Sequence, residues 1–257
     1  MSQYNFLENE IPYDKLEKLG IDRKSLLSMP RDVIEPLMAG RITPLLLTHY
    51  KAANGKMVSI PMKLQLQRDK EENVMLMTYQ LRKRMERGRV RISNQEAIRL
   101  CDGEVLRKEF SENGKRQRMY VQLDHDTNSL MLRSTSSVWI AERLREMEKI
   151  KDIELGTNQK QAAMEGKPVE LAVGEQRVTV GVDLREPQGF RVVKGDMQEW
   201  ERQNKMRYDY EHEDFMGYVL TDENRWQYQK LGERISQKEE RKNTLRKEEE
   251  RSHRLRL

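Results

Sequence analysis

The sequence predicts an α+β fold. Three diverged copies of one unit, each a short helix plus an antiparallel β-meander, are followed by a helical C-terminal segment and a charged tail. Three observations predict it. Gly40, Gly103 and Gly166 recur at a spacing of 63 residues. A helical approach with a cap signal precedes each glycine, and turn residues set between alternating apolar positions follow it.

The first approach opens at Ser28-Met29-Pro30, where proline fits the first turn because its missing N–H is not needed there. The second opens at Ser93-Asn94-Gln95-Glu96, the spacing of a capping box. The third opens at Thr157-Asn158. Each stops at its glycine, the residue that takes the left-handed conformation after a helix without strain. Strands follow. In the first unit a strand runs to Tyr50, Asn54-Gly55-Lys56 turns the chain, Val58 to Leu66 alternate with polar residues, and Val74 to Met77 close the meander. In the second, Val105 to Phe110, the turn Asn113-Gly114, the alternation Met119, Val121, Leu123 and the run Leu130 to Leu132 repeat the order. The third is tighter, with its turn at Gly174-Glu175, alternation at Val178, Val180 and Val182, and Phe190 to Val193 last.

These signals divide the chain into a helical preface and first unit (8–80), a basic junction and second unit (81–136), and a linker helix and third unit (137–194). An aromatic-rich segment (195–230) with Trp200, Tyr208, Tyr210, Phe215, Tyr218, Trp226 and Tyr228 is expected as a helical cap over the third meander. The tail (231–257), with nine Lys/Arg and six Glu, is too poor in apolar residues for a heptad seam and is a solvated helix or disordered.

Charged residues make up 35% and aromatic residues 6% of the 257 positions, against about 25% charged in an ordinary globular chain. That balance favours small units with thin cores. Cys101 is the single cysteine, so no intrachain disulfide forms and a reducing, cytoplasmic setting is expected. No apolar run approaches the roughly 18 residues of a membrane span, and residues 1–5 lack the features of a secretory signal, so no membrane partner is expected.

The search for chemistry returns no catalytic constellation and no cofactor. The histidines (His49, His125, His212, His253) are not spaced as ligand pairs, and one cysteine builds no structural zinc site. Asp124-His125-Asp126 falls at a meander turn, where Asp is favoured for backbone reasons. Glu211-His212-Glu213-Asp214 are consecutive, so on a helix they diverge. Gly55-Lys56 and Gly114-Lys115 lack the remainder of a phosphate loop, and no serine sits in a glycine elbow. What remains is positive charge. Arg82, Lys83, Arg84, Arg87, Arg89 and Arg91 crowd the junction against Glu86 alone, and Lys115, Arg116 and Arg118 follow on the second hairpin. Such a stretch neutralises phosphates, or else keeps a thin-cored protein soluble. The expectation is a non-enzymatic protein that contacts nucleic acid there. The alternative is an adaptor that recruits protein partners through exposed strand edges. The mixed-sign tail, with pairs such as Glu250 and Arg254, is accounted for as a solvated helix.

The order of helix, glycine followed by Lys or Glu as in Gly103-Glu104-Val105, strand, Asn-Gly-Lys turn and alternating strand ending in Asp resembles a family of uncharacterised repeat domains, and Gly40-Arg41-Ile42-Thr43-Pro44 looks like part of a companion domain of it. These occur in proteins of bacterial conjugative and mobilisable elements, often encoded near type IA topoisomerases. Ile11-Pro12-Tyr13-Asp14-Lys15-Leu16-Glu17-Lys18-Leu19-Gly20 looks like the opening of a companion domain of that family. The resemblance runs from about residue 8 to 230. It implies a mobile-element accessory protein whose partners are DNA and a topoisomerase or a relaxation or transfer protein. It carries over no catalytic residue.

Overall fold

A computed structural model describes residues 5–51, 54–69, 71–85, 90–112, 115–138, 155–208, 216–220 and 226–230. The expected linker helix, from residue 139 to 154, and the tail lie outside the described residues.

Short helices α1 (Tyr13–Glu17), α2 (Arg23–Leu27) and α3 (Arg31–Met38) lead into the first meander. Pro12 and Pro30 stand at the N-caps of α1 and α3, and the Asp22 carboxylate caps α2 by accepting from Ser25 N at 2.7 Å. Helix α4 (Asn94–Cys101) opens on the expected capping box: Ser93 Oγ accepts from Glu96 N at 3.2 Å, and Glu96 Oε2 accepts from Ser93 N at 2.9 Å. Helix α5 (Thr157–Met164) starts one residue earlier than a Thr157 cap would have it, with Gly156 at the N-cap.

The three helix stops share one hydrogen-bonding pattern. Gly40, Gly103 and Gly166 have φ of +74°, +87° and +86°. The residue after each glycine donates back five positions, Arg41 N to Pro36 O at 2.8 Å, Glu104 N to Arg99 O at 3.0 Å and Lys167 N to Ala162 O at 3.0 Å. The glycine N–H itself bonds the carbonyl three back. These are Schellman closures, which satisfy carbonyls a helix end would otherwise leave bare.

Each stop leads into a separate three-stranded antiparallel sheet. The first holds β1 (Leu46–Lys51), β2 (Met57–Arg68) and β3 (Val74–Gln80). The second holds β4 (Leu106–Glu112), β5 (Lys115–Asp124) and β6 (Ser129–Ser134), and the third β7 (Val169–Val173), β8 (Gln176–Val182) and β9 (Phe190–Lys194). One apolar cluster lies under the first sheet (Phe6, Leu16, Leu37, Met62, Leu64) and another under the second (Val90, Ile92, Leu100, Val121, Leu123). The largest draws on all three units, with Tyr79 from the first, Tyr120 and Met131 from the second, and Leu171, Val180 and Phe190 from the third.

That shared cluster corrects the expectation of three thin cores. Alternation on β2 predicts one dry and one wet face, yet Pro61 to Gln67 are buried on both. The polar positions Lys63 and Gln65 find partners in the other units instead of water, and the buried Gln67 donates to Gln65 Oε1 at 2.9 Å. Every pair of units is joined by polar contacts. Lys63 reaches Asp124 between the first and second. Leu184 N donates to Gln122 Oε1 at 2.7 Å and Tyr120 OH to Met164 O at 3.0 Å between the second and third. Gln65 Nε2 donates to Leu184 O at 3.0 Å and Ile42 N to Arg185 O at 3.2 Å between the first and third.

The aromatic segment is helical only in part. Helix α6 (Met197–Tyr208) is followed by an antiparallel hairpin, β10 (Met216–Leu220) and β11 (Trp226–Lys230), which lies against β2. The alternation of Trp226 and Tyr228 with glutamine has a period of two, and aromatic residues favour strands, so local chemistry explains the difference. The start of α6 does cover the third meander. Trp200 is buried on Gly181, where a Cβ would come within 2.7 Å of the indole, and the Arg191 guanidinium stacks 4.4 Å from the ring centroid.

One glycine carries a strong constraint between preface and sheet. Gly20 has φ +75°, and a Cβ there would fall 2.1 Å from His49 O on β1. Gly20→Ala should therefore destabilise the fold by about 3 kcal/mol, combining left-handed strain with displacement of the strand. Urea unfolding should show a lower midpoint with an unchanged slope. A midpoint equal to that of the parent would refute the close approach.

Candidate nucleic-acid interface

The second unit positions the predicted cations. Strands β4 and β5 pair Glu109 with Arg118, Phe110 with Gln117, Ser111 with Arg116 and Glu112 with Lys115. The inner half of β5, Tyr120 to Asp124, is buried, whereas Arg116, Gln117 and Arg118 are all exposed. Successive strand residues point to opposite faces, so β5 exposes both of its faces here, while on β4 the Phe110 side of the ribbon packs against the second unit's cluster. Arg118 Nε lies 3.4 Å from Glu109 Oε1, both side chains largely exposed, a pair worth under about 1 kcal/mol.

The junction is held against this unit at two points. Val90 and Ile92 are buried in the cluster that also packs Met85 and Phe110, which leaves Arg91 exposed between them beside β4. At the other end, Arg82 N donates to Thr127 O at 2.8 Å and Asn128 Nδ2 donates to Arg82 O at 2.7 Å, while Ser129 Oγ donates to Gln80 O at 2.7 Å. Arg82 is thus half-buried on the turn between β5 and β6, with Lys83 and Arg84 exposed after it. The ten residues of β5 span about 30 Å, so Arg82 to Arg84 lie near one end of the unit and Arg116 and Arg118 near the other. Lys83, Arg84, Arg91 and Arg116 form no ion pair among the described residues. Arg87, Arg89 and the Lys115 side chain lie outside the described residues. Gly40, Gly103 and Gly166 are the structural stops described above.

Sequence reasoning missed a buried ionic cluster. Lys63 Nζ lies 3.1 Å from Asp124 Oδ1 and also bonds Asp126, with side-chain exposures of 9% for Lys63 and 3% for Asp124. Burial pulls the Lys63 ammonium down, but Asp124 and Asp126 together outweigh it and hold it above its ordinary value. Burial likewise pushes Asp124 up, and Lys63 with the Thr127 hydroxyl and N–H brings it below the usual carboxylate range. Asp124 does make the expected turn, accepting from Thr127 N at 3.0 Å and Thr127 Oγ1 at 2.6 Å. Burial of the Tyr79 phenol raises it well above its ordinary value. Nothing near Asp124 in sequence announces a lysine 61 positions away. A lysine in an alternating strand was the one available signal. The cluster joins the first and second units, with Lys63 and Asp124 buried and Asp126 partly exposed.

Among the described residues no group of three or more His, Cys, Asp or Glu is placed to hold a metal ion. A shallow surface depression on α2, lined by Arg23, Lys24, Leu27 and Ser28, belongs to neither basic segment. No helix among the described residues is long and apolar enough to cross a membrane. Residues 6–88 match a family described as a protein of unknown function (DUF4099). The matched span takes in the preface, the whole first meander and most of the junction. No curated protein and no solved structure matches the chain.

Proposed function

We propose that the protein is a non-enzymatic accessory factor of a mobile genetic element that binds nucleic acid through its second unit and the junction before it. The observation that carries this reading is the outer half of the β4–β5 hairpin, where Arg116 and Arg118 stand in water. Lys83, Arg84 and Arg91 supply further exposed cations on the same unit. Exposed cations also keep a protein soluble, and a polyanion supplies counter-charge to five of them on one unit. The mobile-element setting, conjugation and a topoisomerase or relaxation protein as neighbour come from the family resemblance and belong to the proposal.

Replacing Lys83, Arg84, Arg91, Arg116 and Arg118 together by Gln tests it. Affinity for DNA should fall, and the slope of log affinity against log salt should flatten by about one for each phosphate no longer neutralised. Equal affinity of parent and variant at two salt concentrations would sink the assignment.

A protein adaptor working through strand edges is the second reading, favoured by sheets of three strands that each leave two outer strands. The leading edges are already engaged within the first and third units. His49 N donates to Leu19 O at 3.2 Å, and Gln159 Nε2 donates to Glu170 O at 2.9 Å. A stoichiometric protein partner recovered from nuclease-treated lysate would favour the adaptor.

A further inference from the structure

Resting on the nucleic-acid reading above, we infer that the β4–β5 hairpin enters the major groove of B-form duplex DNA as a two-stranded ribbon and reads base edges. The register sorts the side chains into two faces. Cross-strand partners share a face, so Glu109, Ser111, Arg116 and Arg118 lie together on one, and Phe110 and Gln117 on the other. All four residues of the first face are exposed. Each has a group that pairs with a base edge. Arginine forks onto the two acceptors of guanine, serine serves as donor or acceptor, and a carboxylate accepts from the cytosine amino group. Lysine and arginine both serve phosphate, and only arginine also forks onto guanine. Two arginines on one face supply the planar fork that base recognition uses.

The dimensions agree. Beyond Phe110, which packs on the second unit's cluster, the paired residues 111–112 and 115–116 carry the ribbon past the core by about two residues, or about 7 Å. The major groove of B-form DNA is about 12 Å wide and about 8.5 Å deep and admits a two-stranded β-ribbon. The major groove of an RNA duplex is deep and too narrow for side chains to read, so DNA is the duplex that fits.

The test is selection by the full-length chain from DNA duplexes with a randomised centre. Binding is then measured to the enriched duplex, to an unrelated duplex and to an RNA duplex of the enriched sequence. The comparison variant is Arg116→Lys with Arg118→Lys, which keeps the charge and removes both forks. Both positions are exposed, and matching urea midpoints establish that the variant folds. The expected result is an enriched motif containing guanine. The variant should bind that motif about tenfold or more weakly and the unrelated duplex within about twofold of the parent. The RNA duplex should bind more weakly than the DNA duplex. Absence of an enriched motif, an unchanged affinity of the variant for it, or equal binding of the RNA duplex would overturn groove reading, while binding to the unrelated duplex would leave the broader function standing. No binding to any of these nucleic acids at low salt would remove the broader function and the inference with it.

Discussion

Lys63→Met should lower the unfolding free energy by about 3–5 kcal/mol, because it strands the buried Asp124 carboxylate and leaves Asp126 without its cation. The pH dependence is the sharper signature. In the parent, Asp124 is held below its ordinary value. Its contribution is therefore fully present above the unfolded carboxylate value of about 3.9, and is lost as pH falls through the folded value. Lys63 is held above its ordinary value, so its contribution is fully present below about 10.4 and is lost as pH rises through the folded value. Both are complete across the neutral range. Without Lys63 the burial of Asp124 is opposed by the Thr127 hydrogen bonds but no longer by the cation, and its folded value moves upward. The variant should then lose stability as pH rises from about 5 to about 8, where the parent gains or holds it. Urea midpoints at the two pH values check this. Parallel pH profiles for parent and variant would show that the cluster is not the buried, mutually dependent set described.

Gln65→Leu should be of similar severity, about 4 kcal/mol. The Gln65 side chain is fully buried and every one of its hydrogen-bonding positions is used. Its amide donates to Gly40 O at 3.1 Å and to Leu184 O at 3.0 Å. Its carbonyl accepts from Tyr79 OH at 3.0 Å and from Gln67 Nε2 at 2.9 Å. Leucine fills nearly the same volume but orphans four buried partners, each worth about 1–3 kcal/mol when stranded and not simply additive. Gln65→Glu removes the donors to both carbonyls while keeping the size, so it should also be costly. A cost under about 1 kcal/mol for Gln65→Leu would mean that water reaches this interior.

These two positions mark where the sequence stops being informative. Local chemistry is readable: the Ser93 capping box, the glycine stops and the turns at Gly55 and Gly174 depend on residues a few positions apart and form where their signals lie, while the turn expected at Asn113-Gly114 lies outside the described residues. Strand alternation also places Met62, Leu64 and Val121 inside. It cannot say whether the intervening Lys63, Gln65 and Gln122 face water or another unit, because a polar residue serves in both settings. The partners lie 61 to 119 residues away, and no local pattern connects them. The C-terminal hairpin was hidden differently, since aromatic richness suits a helical cap and a strand alike and only the period distinguishes them.

The candidate interface divides along the same line. The density of positive charge is a property of composition and is visible without a structure. Which cations reach solvent is not. Arg82 is drawn into the turn at Thr127 and Asn128, while Arg116 and Arg118 project on a ribbon whose faces are set by register.

Three meanders of like design form one body closed by a shared core and buried polar contacts. Native-state hydrogen exchange tests it most directly, by reading an opening free energy for each middle strand. The slowest amides of β2, β5 and β8 should share one value, equal to the global unfolding free energy. A markedly lower value confined to one meander would contradict it, showing that this unit opens while the other two stay folded.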